Sequence, residues 1–202
     1  MLFLCLHGLG TNNHVLQTQT ATIRYEMDKR HTFEFVEGTE VVPIATDAES
    51  ILQALRRLEL YIAEEGPFDG AIGFSQGAAL LSTYLIKLGQ QQPVKILPFR
   101  CAIFFSAACP YDALALEDGL IKHGKPDTGK PLIRLPTAHI WGRKDAGYKI
   151  ESETLCSMCD SNLRDTYVHG EGHEIPGPRA KEDIQGCLRA IRRTIDKVVV
   201  EH

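Results

Sequence analysis

Nowhere in the 202 residues does the chain approach the roughly 20 consecutive apolar residues that a membrane-crossing helix requires, so a bilayer is not an expected partner. Lys and Arg number 22 against 26 Asp and Glu, and they are never gathered into a sustained basic face. That removes the electrostatic footprint of a nucleic-acid partner. Internal repeats, low-complexity tracts and an interdomain linker are also missing, which leaves one domain over residues 1–202 as the expectation. Met1 leads directly into an apolar run with neither a basic n-region nor a long apolar h-region, so a cytoplasmic protein is expected. The composition, 44% hydrophobic and 24% charged, is that of an ordinary globular domain.

Six cysteines are present, but a domain of this length can bury enough core to dispense with disulfides. Cys5 and Cys101 lie in apolar runs, where a thiol behaves as a small hydrophobe. Cys156 and Cys159 form a Cys-x-x-Cys pair, yet no second Cys or His pair stands at zinc-binding spacing, and the segment has the period of a helix. No metal or cofactor is expected.

What the chain does have is an alternation of strand and helix patterns from end to end, the signature of a mostly parallel sheet covered on both faces. Strands are expected at residues 2–6, 32–36, 69–74, 101–105, 138–141 and 165–168. Helices are expected at 47–65, 76–88, 152–163 and 178–200. This is an α/β fold of three layers with about six strands. Residues 110–136 stand apart: glycines and prolines punctuate them, with one short helical patch around 114–121. A segment this long in a compact domain reads as a lid or pocket wall.

The chemistry centres on Gly73-Phe74-Ser75-Gln76-Gly77. Residues 69–72 are strand-like and 78–81 open a helix, so the pentapeptide sits in a strand–turn–helix, the nucleophile-elbow context. Such a turn strains the serine backbone and exposes its hydroxyl, and its glycines permit backbone approaches that a Cβ would block. A serine hydroxyl needs a base to take its proton. Of the eight histidines, His173 lies in the glycine-rich loop Gly170-Glu171-Gly172-His173 between the last strand and the last helix. His169, at the strand end, is its competitor, while His7 and His139 have strand settings and are expected to be structural. Asp145 follows the fifth strand and falls between Ser75 and His173 in the order Ser, Asp, His. Asp112, Asp118 and Asp127 belong to the long segment, and Asp165 opens a strand at the wrong edge. The backbone N–H groups of Gln76 and Leu9, with Gly10 as second choice for the latter, are the expected oxyanion donors. A phosphate-binding reading of Gly8-x-Gly10 lacks the third glycine. Substrate binding is assigned to Phe74 beside the serine and to Pro110 and Tyr111, where the long segment begins.

Together, Leu6-His7-Gly8-Leu9-Gly10-Thr11-Asn12, Gln17-Thr18, Arg24, the Gly-Phe-Ser-Gln-Gly elbow, Phe104-Phe105-Ser106-Ala107 and Gly172-His173-x-x-Pro176 resemble the FSH-type serine hydrolases of fungi. The resemblance extends over nearly the whole chain. It implies a reduced α/β-hydrolase core that begins at the strand of residues 2–6, and carboxylesterase or thioesterase activity on acyl chains. It also implies, as a substrate, a polyketide or fatty acyl chain, free as a small ester or held on an acyl carrier protein. In one place the chain departs from that family: residues 39–47 are short and lack aromatics where relatives carry a longer Pro-rich, aromatic loop bordering the pocket. Two further readings stay open. One is an acyl-enzyme cyclase, lactonising or Dieckmann-type, using the same residues. The other is a hydrolase-fold binding protein without chemistry, which would have no need to keep all three triad positions.

Overall fold

The computed structural model describes residues 1–27, 29–37, 47–91, 97–127 and 129–200. The expectation for residues 39–47 lies almost wholly outside them. Twelve elements alternate in the described residues: β1 (Leu2–Leu6), α1 (Asn13–Glu26), β2 (Thr32–Val36), α2 (Ala48–Glu65), β3 (Gly70–Phe74), α3 (Gln76–Gln90), β4 (Cys101–Phe105), α4 (Ala113–Glu117), β5 (Thr137–Gly142), α5 (Lys149–Met158), β6 (Arg164–His169) and α6 (Lys181–Val200). The six strands form one sheet in the order β2-β1-β3-β4-β5-β6, every neighbouring pair parallel.

Strand alternation divides the core into two layers. Leu4 of β1, Ala71 of β3 and Ala102 and Phe104 of β4 pack with Ile51, Leu55 and Leu58 of α2, Leu81 and Leu85 of α3, and Leu155 of α5. Their neighbours Phe3, Cys5, Ile72, Ile103 and Phe105 pack instead with Leu16 and Ile23 of α1 and Ile184, Leu188 and Ile191 of α6. Both faces are therefore buried, which is why β3 and β4 are apolar throughout. The chain runs from β1 out to β2 and then back across to β3, so the strand order reverses between β1 and β3. Ligands of open parallel sheets gather at the carboxyl ends of the strands flanking such a reversal.

The structure departs from the expected elements in identifiable ways. Helix α1 is not announced by the sequence pattern, because its inward stripe is Leu16, Thr20 and Ile23. Thr20 is tolerated there because its hydroxyl bonds the Leu16 carbonyl at 2.7 Å, and Asn12 caps the helix by accepting from Val15 N–H at 3.0 Å. Helix α5 starts earlier than expected, at Lys149, and stops at Met158. A turn around Asp160 replaces its last residues: the Asp160 carbonyl accepts from Leu163 N–H at 3.1 Å and its side chain from Asn162 N–H at 2.9 Å. Cys159 thus caps α5 instead of continuing it. All six cysteines are free and buried, and burial pushes the Cys159 thiol up to about 12.

In residues 110–136 the short α4 follows a bridge between Tyr111 and His123. Gly124 N–H donates to the Pro110 carbonyl and Asp112 N–H to the Lys122 carbonyl, both at 2.8 Å. Leu116, Ile133 and Leu135 are buried in the α2–α3 layer, which ties the segment to the core. No helix among the described residues is long and apolar enough to cross a membrane.

His139 of β5 lies entirely inside, 3.1 Å from the Thr137 hydroxyl. Desolvation, helped by the charge of Arg164, lowers its pKa from 6.5 to about 3. Between those values the unfolded chain takes up a proton that the native protein refuses, so this group's contribution to stability declines as pH falls through that window. The loss is up to about 1.4 kcal/mol per pH unit. Urea unfolding from pH 6 down to about pH 4 should show a shallower acid slope, by about one proton, for His139→Gln than for the unsubstituted chain; equal slopes would remove His139 from the acid limb.

Candidate active site

The elbow forms because β3 ends and α3 begins with one residue between them. That residue, Ser75, has φ 53° and ψ −116°, a backbone conformation costing on the order of 1–3 kcal/mol. Surrounding bonds hold it there: Ser75 N–H donates to the Phe105 carbonyl at 3.0 Å, and the Ser75 carbonyl accepts from Ala78, Ala79 and Ala108 N–H at 3.1–3.2 Å. Both glycines of the motif are sterically required. A β-carbon on Gly73 would stand 2.6 Å from Ala78 Cα, and one on Gly77 would collide with the Leu6 carbonyl oxygen and lie 2.5 Å from that of His7.

Ser75, His173 and Asp145 are brought together. Ser75 Oγ lies 2.9 Å from His173 Nε2, and His173 Nδ1 lies 2.7 Å from Asp145 Oδ2. The carboxylate can only accept, so Nδ1 carries the ring proton and Nε2 is left to accept from the serine hydroxyl. Asp145 is 3% exposed, and its other oxygen accepts from Tyr148 N–H at 3.1 Å. The imidazole is 31% exposed and lies between two aromatic rings, Tyr148 stacked at 4.3 Å and Phe74 tilted at 5.2 Å between centroids. The loops that deliver the two residues are locked to each other: Arg143 N–H donates to the His169 carbonyl at 2.8 Å and Lys144 N–H to that of Glu171 at 3.1 Å.

The competing groups are occupied elsewhere. His169 is buried, and its Nδ1 accepts from Glu171 N–H at 3.3 Å. Desolvation lowers its pKa, which keeps it a neutral brace for the His173 loop. Asp165 pairs with Lys197 at 2.6 Å. Among the described residues, no group of three or more His, Cys, Asp or Glu side chains is arranged to hold a metal ion.

A cavity of about 350 Å³ opens beside the serine on the α2–α3 side of the sheet, within the ~300–1,000 Å³ range of small-molecule pockets. Gly8, Leu9, Gly10 and Gln76 form its end nearest Ser75, and Leu6, Val36, Ile51, Leu58 and Leu80 give it apolar walls. This end is close to the serine: a β-carbon on Gly8 would stand 3.2 Å from that of Ser75. As the first residue of α3, Gln76 has no carbonyl within its own helix to receive its N–H. His7, expected to be structural, also borders the cavity, its Nδ1–H donating to the Gly8 carbonyl at 2.8 Å.

Of the three residues assigned to substrate binding, only Tyr111 lines this cavity. Phe74 and Pro110 do not line it. Phe74 has the same strand parity as Ile72, so its side chain joins the α1–α6 layer and supports His173 from below. Pro110 is buried, turned into the strand-like pairing with Gly124.

The family model for serine hydrolase (FSH1) matches residues 1–54 and 44–184. The chain belongs to this FSH1 serine hydrolase family. Among its relatives, the esterase FPY3 of Fusarium mangiferae is 38% identical, with 99% of each chain covered. The hydrolase phiM of a fungal species (strain ATCC 74256) is 34% identical, with 85% of each covered. In fold it is similar to Arabidopsis thaliana SOBER1, with TM-score 0.61 at 15% identity over 96% of this chain and 99% of that one. Zea mays acyl-protein thioesterase 2 superposes with TM-score 0.57 at 15% identity over 96% and 93%. The architecture is that of an α/β-hydrolase.

Within this FSH1 hydrolase, the ring pair around His173 and the contribution of α2 to the cavity are the features sequence reasoning missed. Tyr148 stands three residues after Asp145, but that spacing has no meaning until the turn of 142–148 folds it over the imidazole. Gly142 controls the same junction. A β-carbon there would collide with the carbonyl oxygens of Glu171 and Gly172, and neither backbone can yield without moving His173. Gly142→Ala should therefore cut turnover by about 100-fold while the circular dichroism spectrum persists; activity within twofold of the parent would show that the junction has slack.

Proposed function

We propose that the chain hydrolyses acyl esters or thioesters through an acyl-enzyme on Ser75, with His173 as general base and acid and Asp145 as its orienting carboxylate. The observation that carries this reading is the continuous Ser75–His173–Asp145 hydrogen-bond chain of 2.9 and 2.7 Å, ending on a strained serine. His173 Nε2 takes the hydroxyl proton as Oγ bonds to the acyl carbon, and the carbonyl electron pair moves to its oxygen. That oxyanion is received by the N–H groups of Gln76 and Leu9. As the tetrahedral adduct collapses, the C–O or C–S bond to the leaving group breaks, and the imidazolium returns its proton to the departing alkoxide or thiolate. Water then repeats the sequence on the acyl-enzyme: His173 takes one of its protons, the carboxylic acid departs, and Ser75 regains its hydrogen. Asp145 orients the ring and stabilises the imidazolium.

The apolar cavity next to Gln76 supports an acyl chain as the part of the substrate held by the protein, and the names of the relatives, an esterase and a hydrolase, agree with acyl transfer to water. In this proposal residues 1–202 act as one domain, with 110–136 contributing a pocket wall through Tyr111. The acyl group is a fatty or polyketide chain, supplied either as a small ester or by a carrier protein, in a reducing cytoplasm where the six free thiols persist. Capture of the acyl-enzyme by an oxygen or carbon nucleophile within the chain itself would yield a ring in place of the acid.

Treatment with a fluorophosphonate followed by intact-mass measurement should add one adduct to the parent protein and none to Ser75→Ala. Equal labelling of both would overturn the assignment, and no labelling of either would favour a binding protein. Product analysis on thioester substrates then separates acid from ring.

A further inference from the structure

Tyr111 enters the cavity beside Gln76, and the two side chains meet: the Gln76 Nε2–H donates to the Tyr111 hydroxyl at 3.0 Å. A phenol hydroxyl accepts through its oxygen and has one proton to give. With Gln76 as its donor, that proton must go to an acceptor elsewhere, and none stands within hydrogen-bond reach among the described residues. Burial raises the pKa of Tyr111, so the phenol keeps the proton.

The ring that carries this donor is held rigidly. Tyr111 N–H donates to the Thr83 hydroxyl at 2.8 Å, its ring face stacks on His123 at 5.5 Å, and its backbone pairs with that of His123. The cavity beyond it has apolar walls of Leu6, Ile51, Leu58 and Leu80, with Ser50, Gln53, Arg57 and Tyr61 also on its lining. A fixed donor with no protein acceptor is costly when a ligand displaces its water, and it favours a ligand that brings an acceptor.

Resting on the acyl-enzyme reading above, we propose that Tyr111 is a specificity-determining residue that selects acyl chains bearing a keto or hydroxyl oxygen near the scissile carbonyl. Its hydroxyl donates to that oxygen while Gln76 donates to Tyr111. Proximity follows from the double role of Gln76, whose backbone N–H faces the developing oxyanion while its side chain holds the phenol. The recognised oxygen therefore lies within about one glutamine side chain and one hydrogen bond of the reacting centre. An unsubstituted chain fills the same cavity but leaves the phenol proton unpaired.

The test compares kcat/KM for a saturated nitrophenyl ester with its β-hydroxy and δ-hydroxy analogues of the same length, in the parent and in Tyr111→Phe. The parent should favour one of the hydroxylated esters by about tenfold, and Tyr111→Phe should bring that ratio to about one. A parent ratio of one, a ratio that survives in Tyr111→Phe, or an equal loss on all three esters would overturn the proposal. The last would assign the phenol to the oxyanion or to the fold. A parent ratio of one overturns the proposal even if Tyr111→Phe proves unstable, and Tyr111→Leu then supplies the comparison for a ratio above one. Hydrolysis of the saturated ester that depends on Ser75, without selectivity, would remove only the role of Tyr111. Failure of the parent to hydrolyse any ester would remove the acyl-enzyme reading and this proposal with it.

Discussion

Backbone against backbone at the carboxyl ends of the strands is the contact from which the rest of the site follows. Gly77, in the first turn of α3, lies directly on the Leu6 and His7 carbonyls at the end of β1, and Gly142, ending β5, lies directly on the Glu171 and Gly172 carbonyls. The first contact brings the turn after β1 beside the serine. The second fixes the His173 loop relative to Asp145. A side chain at either position would separate parts that must stand within a hydrogen bond of each other, and a displacement of about 1 Å at a reacting centre is already costly. Once these approaches are made, the Ser75–His173–Asp145 chain closes across the ends of β3, β5 and β6.

Topology supplies the location and burial supplies the electrostatics. The strand-order reversal between β1 and β3 leaves a crevice above the sheet, with the Gly8–Gly10 turn on one side and the start of α3 on the other. Nearby histidines are sorted by their surroundings. His139 and His169 are buried and desolvated, which holds both neutral. His173 is instead in contact with the buried Asp145 carboxylate and partly open to solvent.

The strands β1, β3 and β4 are legible because they are short apolar runs flanked by turns, and the amphipathic α2 and α6 because of their apolar spacing. Helix α1 is not, since a threonine that satisfies its own hydroxyl occupies the middle of its buried stripe. The three residues of the hydrogen-bond chain could be picked from motif and order alone, because an elbow and a glycine-rich histidine loop are local features. The cavity could not. Its walls come from β1, α2, α3 and Tyr111, and the side of the sheet on which it opens is decided by strand parity, which turns Phe74 away from it. Tyr148 over His173 is likewise a product of the turn and not of its sequence position.

The most direct test of the account is Asp145→Asn, assayed on an ester that the parent turns over. The substitution preserves size and the bond from Tyr148 N–H, but gives His173 Nδ1 an amide in place of a buried carboxylate. The account predicts a folded protein whose kcat falls by roughly 10⁴-fold. Turnover at the parent rate would contradict it, since His173 would then need no orienting carboxylate and the hydrogen-bond chain through Asp145 would not be the source of the activity.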